Sequence, residues 1–325
     1  MGRRVTSRAR HAVLRRLLAA VAVLWGAVTV TFFAVALAGG DQVAAILGPE
    51  AASVPGLREE TAARFGLDRP LLAQYLDRLG GLFTGDLGVS YQRGVPVSSL
   101  LAGQIGPTLQ LAVSAAVFGA VLAVGLTVLT AGGGRVARGA ASLLELLAVA
   151  VPPFWFGIAL LWIFSFTLGW FPAFGAAGIA SLVLPTLALA LPVAGVLAQV
   201  MRQELDVADR RPFALSARAR GLGPKELVWR HTLRHTLVPV TTLSAWGLGT
   251  LIGGAVLVEK VFSRPGVGRV LVDAVSHRDT AVVSAVVVLA ALAFVVTNLL
   301  AELLYPVIDA RLRSRVPDAA PETAR

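Results

Sequence analysis

The sequence predicts an all-α integral membrane protein with six transmembrane helices, and three observations carry that reading. Of its 325 residues 56% are hydrophobic and only 15% charged, with a mean hydropathy of +0.75, far too apolar for a soluble domain of this size. Six long apolar segments, roughly 17–38, 107–130, 140–168, 181–201, 237–258 and 280–304, are each about long enough to cross a bilayer, and none contains Lys or Arg. The 29 basic residues alternate across these segments: six, two, eight and four fall on the N-terminal side, against five, none and four opposite. By the positive-inside rule both termini and the 131–139 and 202–236 loops are expected in the cytoplasm.

Residues 1–16 form a basic tail carrying Arg3, Arg4, Arg8, Arg10, Arg15 and Arg16. The following apolar run, 17–38, exceeds a signal-peptide core of 7 to 15 residues, so the expectation is an uncleaved first helix. From 39 to 106 the composition becomes that of a water-exposed loop, with Asp41, Glu50, Glu59, Glu60, Asp68, Asp77 and Asp86. Within it Asp68 is expected to cap a helix opening at Pro70, with Leu71, Leu72, Tyr75, Leu76 and Leu79 on one face and a stop at Gly80-Gly81. That helix would lie on the outer membrane surface or against the spans. Gly85 to Gly88 reads as a turn, and Pro96 to Leu101 as a second short amphipathic piece.

Residues 107–304 form the five remaining spans. Pro107 is expected to open the second, Pro152-Pro153 fall in the third, Pro185 and Pro192 in the fourth, and Gly247, Gly249, Gly253 and Gly254 in the fifth. Proline frees carbonyls that in lipid must find neighbouring helices or cavity water, so kinked helices around a path are the functional expectation, and ordinary helix packing the plain one. Between spans four and five lies the polar segment 202–236, and the stretch from Phe213 to Pro239, which begins within it, is basic and broken at Gly221-Leu222-Gly223-Pro224. Gly221 and Gly223 allow the backbone to turn, Pro224 suits the first position of a new helix, and Glu226 sits near that helix's positive end. The small residues Ala217 and Ala219 beside Arg218 and Arg220 suit protein docking, and an ordinary surface loop is the alternative. After span five, Glu259 to Arg269 makes a Pro265-Gly266 turn leading into a short amphipathic helix that ends near His277, and 305–325 form a polar tail.

Several chemistries are excluded. Neither Lys225 nor Lys260 completes a Gly-x-x-x-x-Gly-Lys loop, so ATP hydrolysis is not built into the chain. Only Glu145 and Glu302 approach the bilayer interior, both near span ends, whereas an ion-driven carrier needs more. His231 and His235 lie four apart on one helix face but lack a third ligand, and without cysteine no thiolate site exists, so no metal and no cofactor is expected. A nucleic-acid partner is excluded because Arg230 and Arg234 sit on a hairpin tethered to lipid at both ends. No Ser/His/Asp constellation assembles, and the chain does not read as an enzyme. A secondary active transporter working without an ATPase is the alternative function.

Ser216-Ala217-Arg218-Ala219-Arg220-Gly221-Leu222, Arg230-His231-Thr232-Leu233-Arg234 and Leu237-Val238-Pro239 closely resemble the EAA loop of ABC importer membrane subunits, in the version of the dipeptide, oligopeptide and nickel importers. The resemblance extends through Arg15-Arg16-Leu17, Gly85-Asp86-Leu87-Gly88, Pro107-Thr108-Leu109, Pro152-Pro153-Phe154-Trp155, Leu184-Pro185 and Glu259-x-Val261-Phe262-x-x-Pro265-Gly266-x-Gly268. It implies a type I ABC importer permease fold in a prokaryotic cytoplasmic membrane. The partners it implies are a second homologous permease, two cytosolic ATPases and an extracytoplasmic solute-binding protein. It also places Ala217, Arg218, Gly221 and Leu222 at the coupling to the ATPase. The chain departs from the family pattern at Phe213, Leu215 and Ser216, where Tyr, Arg and Thr are expected, and at Ala310, where Pro is usual. The cargo, whether peptide, nickel chelate or another solute, is not readable from the residues.

Overall fold

The computed structural model describes residues 2–37, 41–48, 50–51, 54, 56–131, 133–208, 212–229, 247, 251 and 253–308. Among these the regular elements are helices, and the single extended pairing is a bridge between Val89 and Pro96. In order they are α1 (Gly2–Leu37), α2 (Gln42–Leu47), α3 (Leu57–Phe65), α4 (Leu71–Thr84), α5 (Val97–Thr130), α6 (Arg135–Ala150) and α7 (Pro153–Leu160), which a π-helical turn extends through Leu161–Thr167. They continue with α8 (Ala180–Ala208), α9 (Pro212–Ala219), α10 (Pro224–Leu227), α11 (253–261), α12 (Val267–Ser276) and α13 (Thr280–Ile308).

Among the described residues four helices are long and apolar enough to span a membrane: Leu14–Leu37, Val97–Thr130, Ala180–Val207 and Thr280–Leu299. The pair α6 and α7 with its π turn, bent by 103° at Val151-Pro152, is together long and apolar enough to make a fifth, broken span or a re-entrant loop. Most of the expected 237–258 span falls outside the described residues, as do His231, His235 and the tail beyond 308. On α5 the outward stripe is Leu109, Val113, Val117 and Val121, while Leu111, Ala112, Ala115 and Ala123 turn inward. An apolar stripe outside and small residues inside is the arrangement expected of a helix with lipid on one side and close-packed helices on the other.

The first compact unit comprises Met1–Leu111, Gly169–Leu182 and Ile252–Val295. Its core is Val97, Leu101, Val270, Ala274 and the start of α13 from Ala281 to Val286. Asp279 caps α13: its Oδ1 accepts from Val282 N, and its Oδ2 accepts from Ser90 Oγ at 2.6 Å and from Gln92 N at 3.3 Å. One buried carboxylate thus satisfies a helix end and pins a loop 189 residues away.

Three expected boundaries differ. α4 begins at Leu71 without a side-chain cap from Asp68, and it runs through Gly80-Gly81 to Thr84, where Gly85 closes it. The glycines each cost about 1 kcal/mol in a helix. Packing offsets that cost, because Tyr75 is buried against Phe32 and Phe33 of α1 and shares a 2.7 Å hydrogen bond with Thr29. Tyr75 therefore faces inward, while Leu72, Leu76 and Phe83 form the exposed stripe of the same helix. Finally, α5 opens at Val97 instead of Pro107, absorbing the piece expected as separate.

Asp41 caps α2, accepting from Val43 N and Ala44 N, and is paired with Arg58. The Arg58 hydrogen bond, and then the Ala44 amide, hold its carboxyl below the ordinary value of 3.8. A lowered native value means the contribution is complete above the unfolded value and is lost as pH falls through the native one. The protection of the Val43 and Ala44 amides against hydrogen exchange, taken relative to the intrinsic rate at the same pH, is expected to fall below pH 3.8, and Asp41→Ala to remove that pH dependence.

Candidate functional site

The broken basic segment folds as a helix-turn-helix elbow. α9 ends in a Schellman cap: Leu222 N donates to Ala217 O at 3.2 Å and Gly221 N to Arg218 O at 2.9 Å. Gly221 takes the left-handed position with φ +86°. Any other residue there would strain the turn by about 1 kcal/mol, and Pro cannot adopt this φ at all. Leu222, the residue after the glycine, packs on Ala214, Ala217 and Leu227, the hydrophobic contact that accompanies such caps. α10 then starts at Pro224, with Glu226 in its first turn and Leu227 N donating to Gly223 O.

The four residues assigned to coupling are thus brought together but divide their tasks. Ala217 is buried beneath Leu227 and Leu222 is half-buried, so both hold the shape of the elbow. Arg218 and Gly221 are exposed, with Ala219 and Arg220 beside them. The exposed part of the elbow is therefore Arg218 and the Gly221 backbone, and the Ala217 side chain is covered. Arg230 to Arg234 and Leu237 to Pro239 lie outside the described residues.

A second built site lies where α11 turns into α12, in the first compact unit. Glu259 is fully buried. Its Oε1 accepts from Thr108 Oγ1 at 2.6 Å, and its Oε2 accepts from Gly268 N at 2.8 Å and Arg269 N at 3.2 Å. Val267 N donates to Thr108 Oγ1 at 2.9 Å. The first amides of α12, which no helical carbonyl can reach, are thus satisfied by two side chains from α5 and α11, and the carboxylate sits at the positive end of the helix. Arg264 crosses the loop beneath, donating from Nη2 to Gln110 Oε1 at 2.8 Å.

This geometry explains the spacing Glu259-x-Val261-Phe262-x-x-Pro265-Gly266-x-Gly268, whose mechanical reason the sequence did not reveal. A methyl group on Gly266 would fall 2.1 Å from Glu259 Cδ, and one on Gly268 would fall 2.3 Å from Val256 Cα. The carboxylate needs the room that these two glycines leave.

The chain matches the family described as binding-protein-dependent transport system inner membrane component over residues 115–314. The chain belongs to that family. It is 32% identical over 314 residues to the oligopeptide transport system permease protein AppB of Bacillus subtilis, covering 92% of this chain and 98% of that one. It is 34% identical over 303 residues to the glutathione transport system permease protein GsiC of Salmonella typhimurium, covering 93% and 98%. A probable peptide ABC transporter permease protein, y4tP of Sinorhizobium fredii, is 33% identical over 313 residues, again covering 93% and 98%. In fold it is similar to the inward-facing MetNI methionine ABC transporter, with a TM-score of 0.53 at 19% identity, over 65% of this chain and 96% of that one. The protein is therefore a non-catalytic permease subunit of a binding-protein-dependent ABC importer, with the type I permease fold.

Thr108→Val would leave Val267 N without its acceptor and Glu259 Oε1 without its donor. It is expected to cost about 2–4 kcal/mol, and Thr108→Ser less than about 1 kcal/mol, because a buried unmet group loses its full desolvation free energy. Thermal unfolding of the purified subunit in detergent reads the difference.

Proposed function

We propose that this permease forms half of the translocation path of a peptide importer and takes the stroke of partner ATPases through the α9–α10 elbow. A second, homologous permease completes the path, and an extracytoplasmic solute-binding protein delivers the cargo. Both termini, the 131–139 loop and the 202–236 segment lie in the cytoplasm, as the alternation of basic residues requires. Peptide cargo is supported by the oligopeptide, glutathione and peptide permeases to which the chain is similar.

The observation that carries the coupling reading is the elbow itself. A Schellman cap with a buried Ala217–Leu222–Leu227 contact makes a stiff corner and presents Arg218 at its tip. A stiff corner transmits displacement, whereas a mobile loop absorbs it. The path reading rests on the third span. Because Pro152 and Pro153 have no N–H, the carbonyls of Ala148 and Val149 lose their helical donors. In a bilayer such groups are tolerated only against protein or cavity water, so in this reading the bend sits on the protein side of the span, against α8 and beside the path.

Arg218→Glu and Gly221→Pro are each expected to lower ATPase stimulation by the binding protein about tenfold or more in the reconstituted complex, with the basal rate retained. An unchanged ratio of stimulated to basal activity would refute the elbow as the point of coupling. The purified subunit alone in vesicles is expected to accumulate no cargo uphill. Uphill accumulation by the lone chain would restore the secondary carrier.

A further inference from the structure

Glu145 is one of the two acidic residues that the sequence placed near span ends, and the structure buries it. Its side chain is 2% exposed, on α6, and it accepts from Arg202 Nη2 on α8, whose side chain is 19% exposed. Around this pair the two helices touch with no slack. A Cβ on Gly195 would lie 2.9 Å from the Glu145 carbonyl oxygen and 3.0 Å from both Ala148 Cβ and Val149 Cγ2. Backbone meets backbone at that crossing, and an ion pair closes it.

The position of the crossing is informative. Arg202 stands six residues before the end of α8 at Ala208, and α9 of the elbow begins at Pro212. Glu145 stands five residues before the end of α6 at Ala150, where the span bends by 103° at Val151-Pro152. The pair therefore lies between the elbow and the bend. An ion pair here is a poor choice for stability alone, since apolar residues of similar volume hold such sites as well or better. What a charged pair adds is a directional, single-register link between two helices.

We propose that the Glu145–Arg202 pair clamps α6 to α8, so that the stroke received at the α9–α10 elbow reaches the bend at Pro152. The inference rests on the coupling reading above. Glu145 and Arg202 are positioning residues, acting through helices that they hold and touching neither nucleotide nor cargo. With the clamp intact α6 follows α8 as one body. With it broken, the helices keep their contact at Gly195 but lose their fixed register, and less of the stroke reaches the bend.

The test uses the complete transporter in vesicles, with its cognate binding protein, as purified with its own bound cargo, as the probe. Glu145→Gln and Arg202→Gln are each expected to lower the ratio of stimulated to basal ATPase about tenfold, with basal activity within about twofold of native. The double variant should be no worse than either, because both side chains serve one link. The native chain has no cysteine, so a Glu145→Cys/Arg202→Cys pair offers the only thiols on this subunit. Joining them with a short bifunctional methanethiosulfonate reagent should restore the ratio to within about threefold of native. A merely structural pair would instead lower the yield or melting temperature of the complex and leave the ratio per assembled complex unchanged. That result overturns the proposal, as does a tether that fails to restore the ratio. Arg218→Glu assayed in parallel separates the two ideas: if it collapses the ratio while Glu145→Gln does not, the clamp falls and the elbow stands. If Arg218→Glu has no effect, the elbow reading falls first.

Discussion

Hydrocarbon offers no hydrogen bonds, and the rest of this structure follows from how that constraint is met. Along the spans the helical ladder meets it locally. Where the ladder stops, the chain must import donors or acceptors from distant segments. At the start of α12 the amides of Val267, Gly268 and Arg269 have no helical partner, and Thr108 and Glu259 supply the acceptors. At the start of α13 the carboxylate of Asp279 does the same for Val282 and uses its second oxygen to hold Ser90 and Gln92. The irregular backbone at both sites is tolerated because a buried carboxylate satisfies its amides.

Those carboxylates also bear on where the work of transport comes from. An ion-driven carrier keeps an acidic side chain available to bind and release a proton or sodium ion in the course of each cycle. Glu145, Glu259 and Asp279, the buried acids among the described residues, are each engaged by protein donors: Arg202, the Thr108 and α12 set, and the Ser90 and Gln92 set. They are used as ties. That use agrees with a subunit whose energy is delivered by other polypeptides, as its family membership requires.

How much of this was legible in the sequence depended on range. Four of the spans, the elbow and the α12 turn were readable because their signals are local: apolar length, a glycine at a left-handed position, a proline at the start of a helix. Even here neighbours moved the boundaries. Pro107 reads as the start of a helix, but the ten residues before it join α5 because Val97 and Leu101 bury against Val270, Ala274 and α13. Gly80-Gly81 reads as a stop, yet the anchoring of Tyr75 to Thr29, Phe32 and Phe33 carries α4 past it. The ties were not legible at all. Thr108 and Glu259 are 151 residues apart and Ser90 and Asp279 are 189 apart, and nothing in one sequence announces such a pairing.

The division of labour inside the elbow shows how motif and mechanism separate. A run such as Ala217-Arg218-Ala219-Arg220-Gly221-Leu222 invites the view that its small residues exist to let a partner approach. The structure assigns them differently. Ala217 is small because Leu222 and Leu227 must close over it, and Gly221 is glycine because its backbone is left-handed. Arg218 and its neighbours Ala219 and Arg220 are the exposed side chains of the corner, the ones the coupling proposal gives to a partner. Shape and contact are therefore carried by different residues of one short segment, so a change at Ala217 or Gly221 would act on a partner through the angle of the corner, and a change at Arg218 through the contact itself.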